Sequence, residues 1–422
     1  MSSTKENKRV IMLIDVNSAF LSWEAAYRKA QGAAGKDLRD IPSIVGGDVQ
    51  KRKGIVLAKS IPAKKYGIST GDTVGEAMRK CPNLTVVAPN YALYSALSDA
   101  LVDFLRELTP IVEQYSVDES FIDISGSPAL TADPVKTGDM LRCEIEKRFG
   151  YTVNVGISSN KLLAKMACEF EKPNRTHTLF PEQIADKLWP LDVGELFMAG
   201  RRTVYALREC GINTIGELAC ADRDFITRKF KTVRGNMLCD YANGIDNSPV
   251  LESRPKIKSI GNSTTVPYDI TAPEEATLVL LSLCEMVGKR LRASGMQAGS
   301  LGIFYRNFEF GHCAKTMKLP FFTQCTQTIC DISERVFGEI WKRDGIRAMG
   351  VYTADLVTAD ARQMMFTDDY EKYDTIEAVI DSLRESYGND IIMRGGFVNS
   401  GLSGVRGGTG EGSYLPRMHS RL

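Results

Sequence analysis

The sequence lacks the materials for a zinc centre or a disulfide framework. Its ten cysteines form no Cys-x-x-Cys pair, and three histidines are too few to complete a metal set. No run approaches the roughly 20 apolar residues needed to span a bilayer, and no basic n-region followed by an apolar h-region opens the chain. A cytoplasmic protein with reduced thiols and no membrane partner is expected. Charge of one sign is also missing: 53 Lys and Arg against 52 Asp and Glu leave a net charge of +1, so no global basic field announces a polyanion. There is no internal repeat of solenoid length. What remains is the composition of a globular protein, 43% apolar and 25% charged with a mean hydropathy of −0.16. At 422 residues, the length suits two to four domains.

Any polyanion site must therefore arise from local asymmetry, and residues 51–80 show it. Lys51, Arg52, Lys53, Lys59, Lys64, Lys65, Arg79 and Lys80 stand there against Asp72 and Glu76. Read alone, such a run is an ordinary solvated face. The apolar, β-branched run Val10–Val16 predicts a buried strand that carries Asp15 at its end, and Ser18 onward predicts a Ser-capped helix. Short strands are expected at 44–45 and 55–58, and a helix from Tyr91 to Leu108. Strands at 111–116 and 120–124 meet at Val117-Asp118-Glu119. A helix over 139–149 and a strand over 152–157 complete an α+β unit of strand-helix-strand-strand-helix-strand type. Residues 182–250 read as short-looped helices, 251–259 as a polar, Pro-containing basic linker, and 260–360 as a second small α+β unit. The Gly/Ser-rich chain after about residue 398 is expected to be disordered.

Two constellations carry chemistry. Asp15 and the pair Asp118–Glu119 could converge at one sheet edge, because a turn between two apolar strands lets adjacent acids serve one site. Hard carboxylates in that arrangement suit Mg²⁺ and leave room for substrate phosphates; plain turn chemistry is the competing account. The second is Val155-Gly-Ile-Ser-Ser-Asn-Lys161-Leu-Leu-Ala-Lys165. It reads as a strand ending near a Gly, then a helix capped by Ser158 or Ser159 with two lysines on one face. That suits phosphate, or an ordinary amphipathic helix.

In order and spacing, Ile14-Asp15-Val16-Asn17-Ser18-Ala19-Phe20, Tyr115-Ser-Val-Asp118-Glu119-Ser-Phe-Ile-Asp-Ile124 and Val155-Gly-Ile-Ser-Ser-Asn-Lys161 resemble the Y-family DNA polymerases. The resemblance runs from about residue 10 to 360. It implies an α+β multidomain, right-hand polymerase. The ferredoxin-like palm would span 8–25 and 88–181, small fingers 26–87, and an all-helical thumb with a helix-hairpin-helix 182–250. After the linker would come an α+β little finger at 260–360 and a C-terminal extension at 361–422. It further implies that Asp15, Asp118 and Glu119 hold two Mg²⁺ ions, for which Mn²⁺ can substitute, with the Val16 carbonyl as a further ligand. Phe20 falls at the steric-gate position that excludes a ribose 2′-OH. Lys161 and Lys64 would contact the triphosphate, although many members have a Tyr and an Arg where Ile61 and Lys64 stand here. Gly200, Arg201, Arg202 and Thr203 would meet DNA phosphate in the thumb, where Met198 replaces the usual first Gly. The Gly-Arg-Arg-Thr wording resembles the UmuC-like branch.

The activity implied is low-fidelity extension of primed template DNA past damaged bases, using deoxynucleoside triphosphates, in the SOS response to DNA damage and its repair. Gln363, Met364, Met365 and Phe366 resemble a sliding-clamp peptide, with the Gln one residue closer to the Phe than usual; a strand end or loop anchor is the plain alternative. Damage-response accessory proteins are further partners that the branch implies. Two rival classes are a non-catalytic clamp- and DNA-binding scaffold that kept the fold, and a helix-hairpin-helix repair glycosylase. Relatives of the first kind typically lose the acids that stand here, and the second leaves the first 180 residues unexplained.

Overall fold

The structure is a computed structural model that describes residues 9–47, 54–252, 256–359, 370–388 and 391–398. The chain divides into two compact units, the first holding residues 9–46 and 56–252 and the second residues 47 and 54–55 with everything described from 256 onward. The segments expected as palm, fingers and thumb thus share the first unit.

At the centre of that unit is β1 (Ile11–Val16), and its apolar run has a simple cause. Met12, Ile14 and Val16 enter one core, with Leu101, Leu141 and Ile145. Ile11 and Leu13 enter another, with Phe121, Ala164 and Cys168. Alternate side chains point to opposite faces, and both faces are covered. Helix α1 (Ala19–Ala30) follows at once. Ser18 stands at its cap position with φ 49° and makes no side-chain cap bond; the Ser22 hydroxyl instead donates to the Asn17 carbonyl. Strands β2 (Ser43–Gly46) and β3 (Val56–Lys59), helices α2 (Ile61–Lys64) and α3 (Val74–Lys80), and β4 (Thr85–Val87) form a three-stranded module ordered β3-β2-β4. Its small core holds Ile44, Val56, Ala63 and Val74.

Helix α4 (Tyr91–Arg106) ends two residues short of the expected Leu108, β5 (Val112–Gln114) is shorter than its apolar run suggested, and β6 (Glu119–Asp123) has the expected length but starts one residue earlier. After α5 (Pro128–Thr131), helix α6 (Pro134–Phe149) starts five residues earlier than expected. Asp133 caps it by accepting from the Lys136 amide, and Pro134 suits the first helical position. Then come β7 (Val153–Ser158), α7 (Lys161–Glu169) and β8 (Thr176–Thr178), giving a five-stranded sheet ordered β5-β6-β1-β7-β8. Ser158 belongs to the strand, and the cap of α7 is Asn160, which accepts from the Leu163 amide at 2.8 Å. Helices α8 (Arg201–Arg208), α9 (Ile215–Cys220), α10 (Arg223–Phe230) and α11 (Thr232–Ala242) share a core with Leu162, Leu163 and Met166 of α7.

The second unit runs β9 (Ser259–Ile270), α12 (Pro273–Ala293), β10 (Met296–Asn307), β11 (His312–Thr323), α13 (Thr326–Ile340) and β12 (Ile346–Thr358). Its antiparallel sheet is ordered β11-β10-β12-β9. The C-terminal extension contributes α14 (Tyr370–Tyr387), tied to α12 by Arg292 with Glu377 and Asp381, each at 2.6 Å, and by Arg384 with buried Glu285. The disorder expected after about residue 398 lies outside the described residues.

Candidate active site

The antiparallel register of β1 and β6 sets Asp15 directly opposite Glu119, and residues opposite each other in such a pair share a face with Cβ atoms about 5 Å apart. That face is the one carrying Leu13 and Phe121, under α7. Glu169, the last residue of α7, closes the group: one carboxylate oxygen from each of Asp15, Glu119 and Glu169 lies within 4.8 Å of the others. Asp118 occupies the turn before β6. Its carbonyl accepts from the Val16 amide at 3.0 Å, and its carboxylate accepts from the Ser116 hydroxyl at 2.7 Å. Its charge still reaches Asp15, but the tight oxygen cluster takes Glu169 as third member where sequence reasoning expected Asp118. Val16 ends β1 beside that turn.

Two lysines answer these acids. Lys172 donates to Asp15 at 2.5 Å and to Glu169 at 2.8 Å, and Lys165 donates to Glu119. Asp15 is 6% exposed. Burial pushes its carboxyl up to about 7, with Lys172 opposing the rise and Glu119 and Asp118 adding to it. Burial works against the charge of both lysines, but Glu119 outweighs it at Lys165 and Asp15 at Lys172, so both are raised above the ordinary range. The Lys165 ammonium also lies 5.3 Å from the Phe197 ring centre.

A buried amide pair sets Lys172 in place. Asn154, opposite Asp15 on β7, accepts from the Asn17 amide group at 3.1 Å and donates to the Glu171 carbonyl at 2.7 Å. Asn17 in turn accepts from the Asn174 backbone at 3.0 Å. The 171–174 turn is thereby pinned over the end of β1. Helix α7 can lie this close only because of Gly156. A Cβ there would stand 2.0 Å from the Ala164 carbonyl oxygen and 2.6 Å from the Cys168 nitrogen. The glycine near which the strand was expected to end is a packing residue inside β7.

Phe20 stacks on Tyr94 with ring centres 4.5 Å apart and planes 12° from parallel, and meets Tyr91 edge-on at 6.2 Å. Tyr94 is fixed in turn by donating to buried Glu24 at 3.0 Å. The ring is half-buried and stiffly held, as a sugar filter requires.

Lys161 differs from expectation. Its ammonium donates to both oxygens of Glu113, at 2.8 and 2.7 Å. Glu113 pairs with Phe121, which pairs with Leu13, so it lies two strands over and two residues back from Asp15. That is about 12 Å at standard strand spacings. Lys161 begins α7, Lys165 stands at its middle and Glu169 ends it, so the helix meets the acids from Lys165 onward and not at its start. Lys172 and Glu169 were missed in the sequence. Their signal was the continuation of the four-residue spacing from Lys161 through Lys165 to Glu169, followed by Lys172 one turn later.

Lys64 is exposed at the end of α2 in the three-stranded module, near enough to Lys59 that burial and the Lys64 charge together lower the Lys59 pKa. In the helical module Gly200 caps α8, and Arg201 and Arg202 are exposed. Thr203 is buried, and its hydroxyl accepts from Arg234 at 2.8 Å; the first three remain available to a phosphate, while Thr203 is structural. Met198 has φ 70°, the left-handed region where the related motifs carry glycine. Gln363, Met364, Met365 and Phe366 lie outside the described residues.

In fold, the chain is similar to a solved Y-family DNA polymerase chimera of Dbh and Dpo4. The match has a TM-score of 0.70 at 20% identity and covers 83% of this chain and 99% of that one. The fold is thus of the α+β, multidomain type that this neighbour has. A protein named DNA polymerase IV from Clostridium acetobutylicum is 42% identical over 390 residues, covering 92% of this chain and 97% of the relative. DNA polymerase IV of Acetivibrio thermocellus is 34% identical, covering 92% and 97%, and DNA polymerase IV 2 of Bacillus subtilis is 34% identical, covering 92% and 94%. The impB/mucB/samB family model matches residues 14–169 and the model of that family's C-terminal domain residues 257–366. The chain belongs to this family of Y-family, DNA-directed DNA polymerases. The relatives do not single out the UmuC-like branch. No helix among the described residues is long and apolar enough to cross a membrane.

Proposed function

We propose that this polymerase extends primers past damaged template bases at low fidelity, by nucleotidyl transfer at the Asp15–Asp118–Glu119 site. The observation that carries the reading is the pairing of Asp15 with Glu119 across β1 and β6, with Asp118 in the turn that leads into β6 and its carbonyl accepting from the Val16 amide. The donor set is all hard oxygen, and the residues that neutralise it without an ion are flexible lysines, so it fits divalent cations of the Mg²⁺ type. Two such ions, when bound, would lower the pKa of a primer 3′-hydroxyl and balance the charge of the triphosphate.

The chain's own residues do the rest. Lys172, 35% exposed at its side chain, can leave Asp15 for a triphosphate oxygen when cations take over the carboxylates. It replaces Lys161 in that role. Lys165 is more enclosed and keeps Glu119 oriented. Phe20, stiffened by Tyr94, excludes a 2′-hydroxyl by contact. Lys64 is a supporting phosphate contact from the fingers, a point charge rather than a bidentate fork. Gly200, Arg201 and Arg202 meet the DNA backbone. Clamp binding through Gln363–Phe366 and help from damage-response proteins extend the same reading. The names of the relatives favour a DNA polymerase IV-like enzyme over a UmuC-like one, for which the Gly200-Arg201-Arg202-Thr203 wording is the support.

Primer extension on a primed template with Mg²⁺ and deoxynucleotides tests the proposal. Wild type should extend undamaged and damaged templates, and Asp118→Ala and Glu119→Ala should each reduce extension at least a hundredfold. Activity retained in both variants would remove the site assignment.

A further inference from the structure

Between α11 and the second unit the chain runs back across the sheet as a strap, residues 244–251. The contacts along it are unusually regular. The Gly244 carbonyl accepts from the Asn160 side chain at 2.8 Å, and Asp246 accepts from the Leu162 amide at 3.2 Å. Asp246 also accepts from the Ser248 amide and hydroxyl, each at 3.0 Å. The Ser248 carbonyl accepts from Arg9 at 3.3 Å and the Pro249 carbonyl from Lys161 at 3.4 Å. Val250 is buried among Ile11, Leu13, Phe121, Ala164 and Cys168. Finally the Leu251 amide donates to Glu113 at 2.8 Å, on the same oxygen that Lys161 holds at 2.7 Å.

Three of these contacts come from consecutive residues, Asn160, Lys161 and Leu162, at the start of α7. The pair that ends the strap is enclosed, with side-chain exposures of 13% for Lys161 and 11% for Glu113. A buried carboxylate must keep a cation, and here the cation and the strap amide share it. We propose that Lys161 and Glu113 are positioning residues that clasp the strap to the sheet and so fix where the tether to the second unit begins. The proposal rests on the polymerase reading only in requiring that both units hold the same primed DNA.

The consequence follows from tether length. With the clasp closed, the connection to β9 runs from Leu251 to Ser259; with it open, from Gly244. Effective concentration falls roughly as the −3/2 power of the length of chain that links two units, so opening should dilute the second unit about 2.5-fold. The reacting atoms are untouched, and the cost falls on DNA binding rather than on turnover.

The test compares the full chain with Glu113→Gln, Lys161→Met and Lys161→Arg. Hydrogen exchange of free protein should be at least tenfold faster over 245–252 in the first two, with Lys161→Arg close to wild type. In single-nucleotide insertion, KM for primed DNA should rise two- to three-fold in the first two, while kcat and KM for deoxynucleotide stay within twofold. Unchanged strap exchange overturns the clasp, as does a tenfold rise in nucleotide KM on Lys161→Met, which would restore a triphosphate role. Faster strap exchange with unchanged DNA affinity overturns the link to DNA holding and leaves the active-site reading intact. If Lys161→Met does not fold, Glu113→Gln decides, because it keeps the shape and one acceptor oxygen for the Leu251 amide while removing the charge and the second acceptor that Lys161 uses.

Discussion

Replacing Lys172 by Met keeps the length and apolar stem of the side chain and removes one positive charge beside Asp15. Two unit charges 4 Å apart attract by about 4 kcal/mol at an effective dielectric constant near 20. Lys172 is about one-third exposed, so solvent screening should leave about half of this, or ~2 kcal/mol, for its contact with a triphosphate. That corresponds to a loss of about 30-fold in kcat/KM for the incoming nucleotide. Single-nucleotide insertion under steady-state conditions reads it directly, with primed DNA saturating and Mg²⁺ fixed. Lys161→Met serves as the control, since its ammonium is held by Glu113, whose place in the sheet is about 12 Å from Asp15 by strand spacing. A Lys172→Met enzyme within threefold of wild type, beside a Lys161→Met enzyme that loses tenfold or more, would refute the assignment and return the role to the start of α7.

Three further outcomes are expected. Phe20→Ala should admit ribonucleotides, raising ribonucleotide over deoxynucleotide incorporation by at least a hundredfold; unchanged sugar discrimination would remove the gate assignment. Met198→Gly should stabilise the protein by about 1 kcal/mol, seen as a higher urea midpoint, because a non-glycine residue at φ 70° is strained; a lower midpoint would show that the Met side chain outweighs the backbone. Mn²⁺ affinity of the metal-free enzyme, followed by electron paramagnetic resonance, should climb about tenfold per pH unit below 7 and then level off. The cation needs Asp15 ionised, and burial has raised that group to about 7; an affinity flat from pH 5.5 to 8 would contradict it.

How legible the fold was depends on whether its cause is local. The run Ile11–Val16 is visible because both of its faces are buried, which writes an unbroken apolar stretch. The early start of α6 was equally local, in Asp133 and Pro134, yet the apolar spacing begins only later and masks it. Ser158 and Ser159 look like caps, but the strand runs on through Ser158 because it pairs with Ile11, and the cap shifts to Asn160. Tertiary pairing decides that boundary, and a single sequence does not display pairing. The same holds for the division into two units, which follows from cores shared by α7 with both the sheet and the helices.

The acids of the site were legible as a pattern, but their counter-charges were not. Asp15 and Glu119 face each other because one register holds along the whole of β1 and β6, so a shift by one residue would send Glu119 to the opposite face. The block from 155 onward suited phosphate because a strand, a Gly and then the start of a helix carrying lysines on one face were expected there. In the fold each is occupied elsewhere: Gly156 admits the helix, Asn160 caps it and holds the strap, and Lys161 neutralises Glu113. The cations that serve the acids come from the middle of α7 and the turn after it, at Lys165 and Lys172. A helix about 13 Å long at 1.5 Å per residue therefore separates two jobs that the sequence had merged. Its first turn anchors the chain that leads to the second unit, and Lys165 at its middle, with Lys172 in the turn beyond it, balances the charge of the reacting centre. The two ends should then be separable by mutation, nucleotide use failing at one and DNA holding at the other.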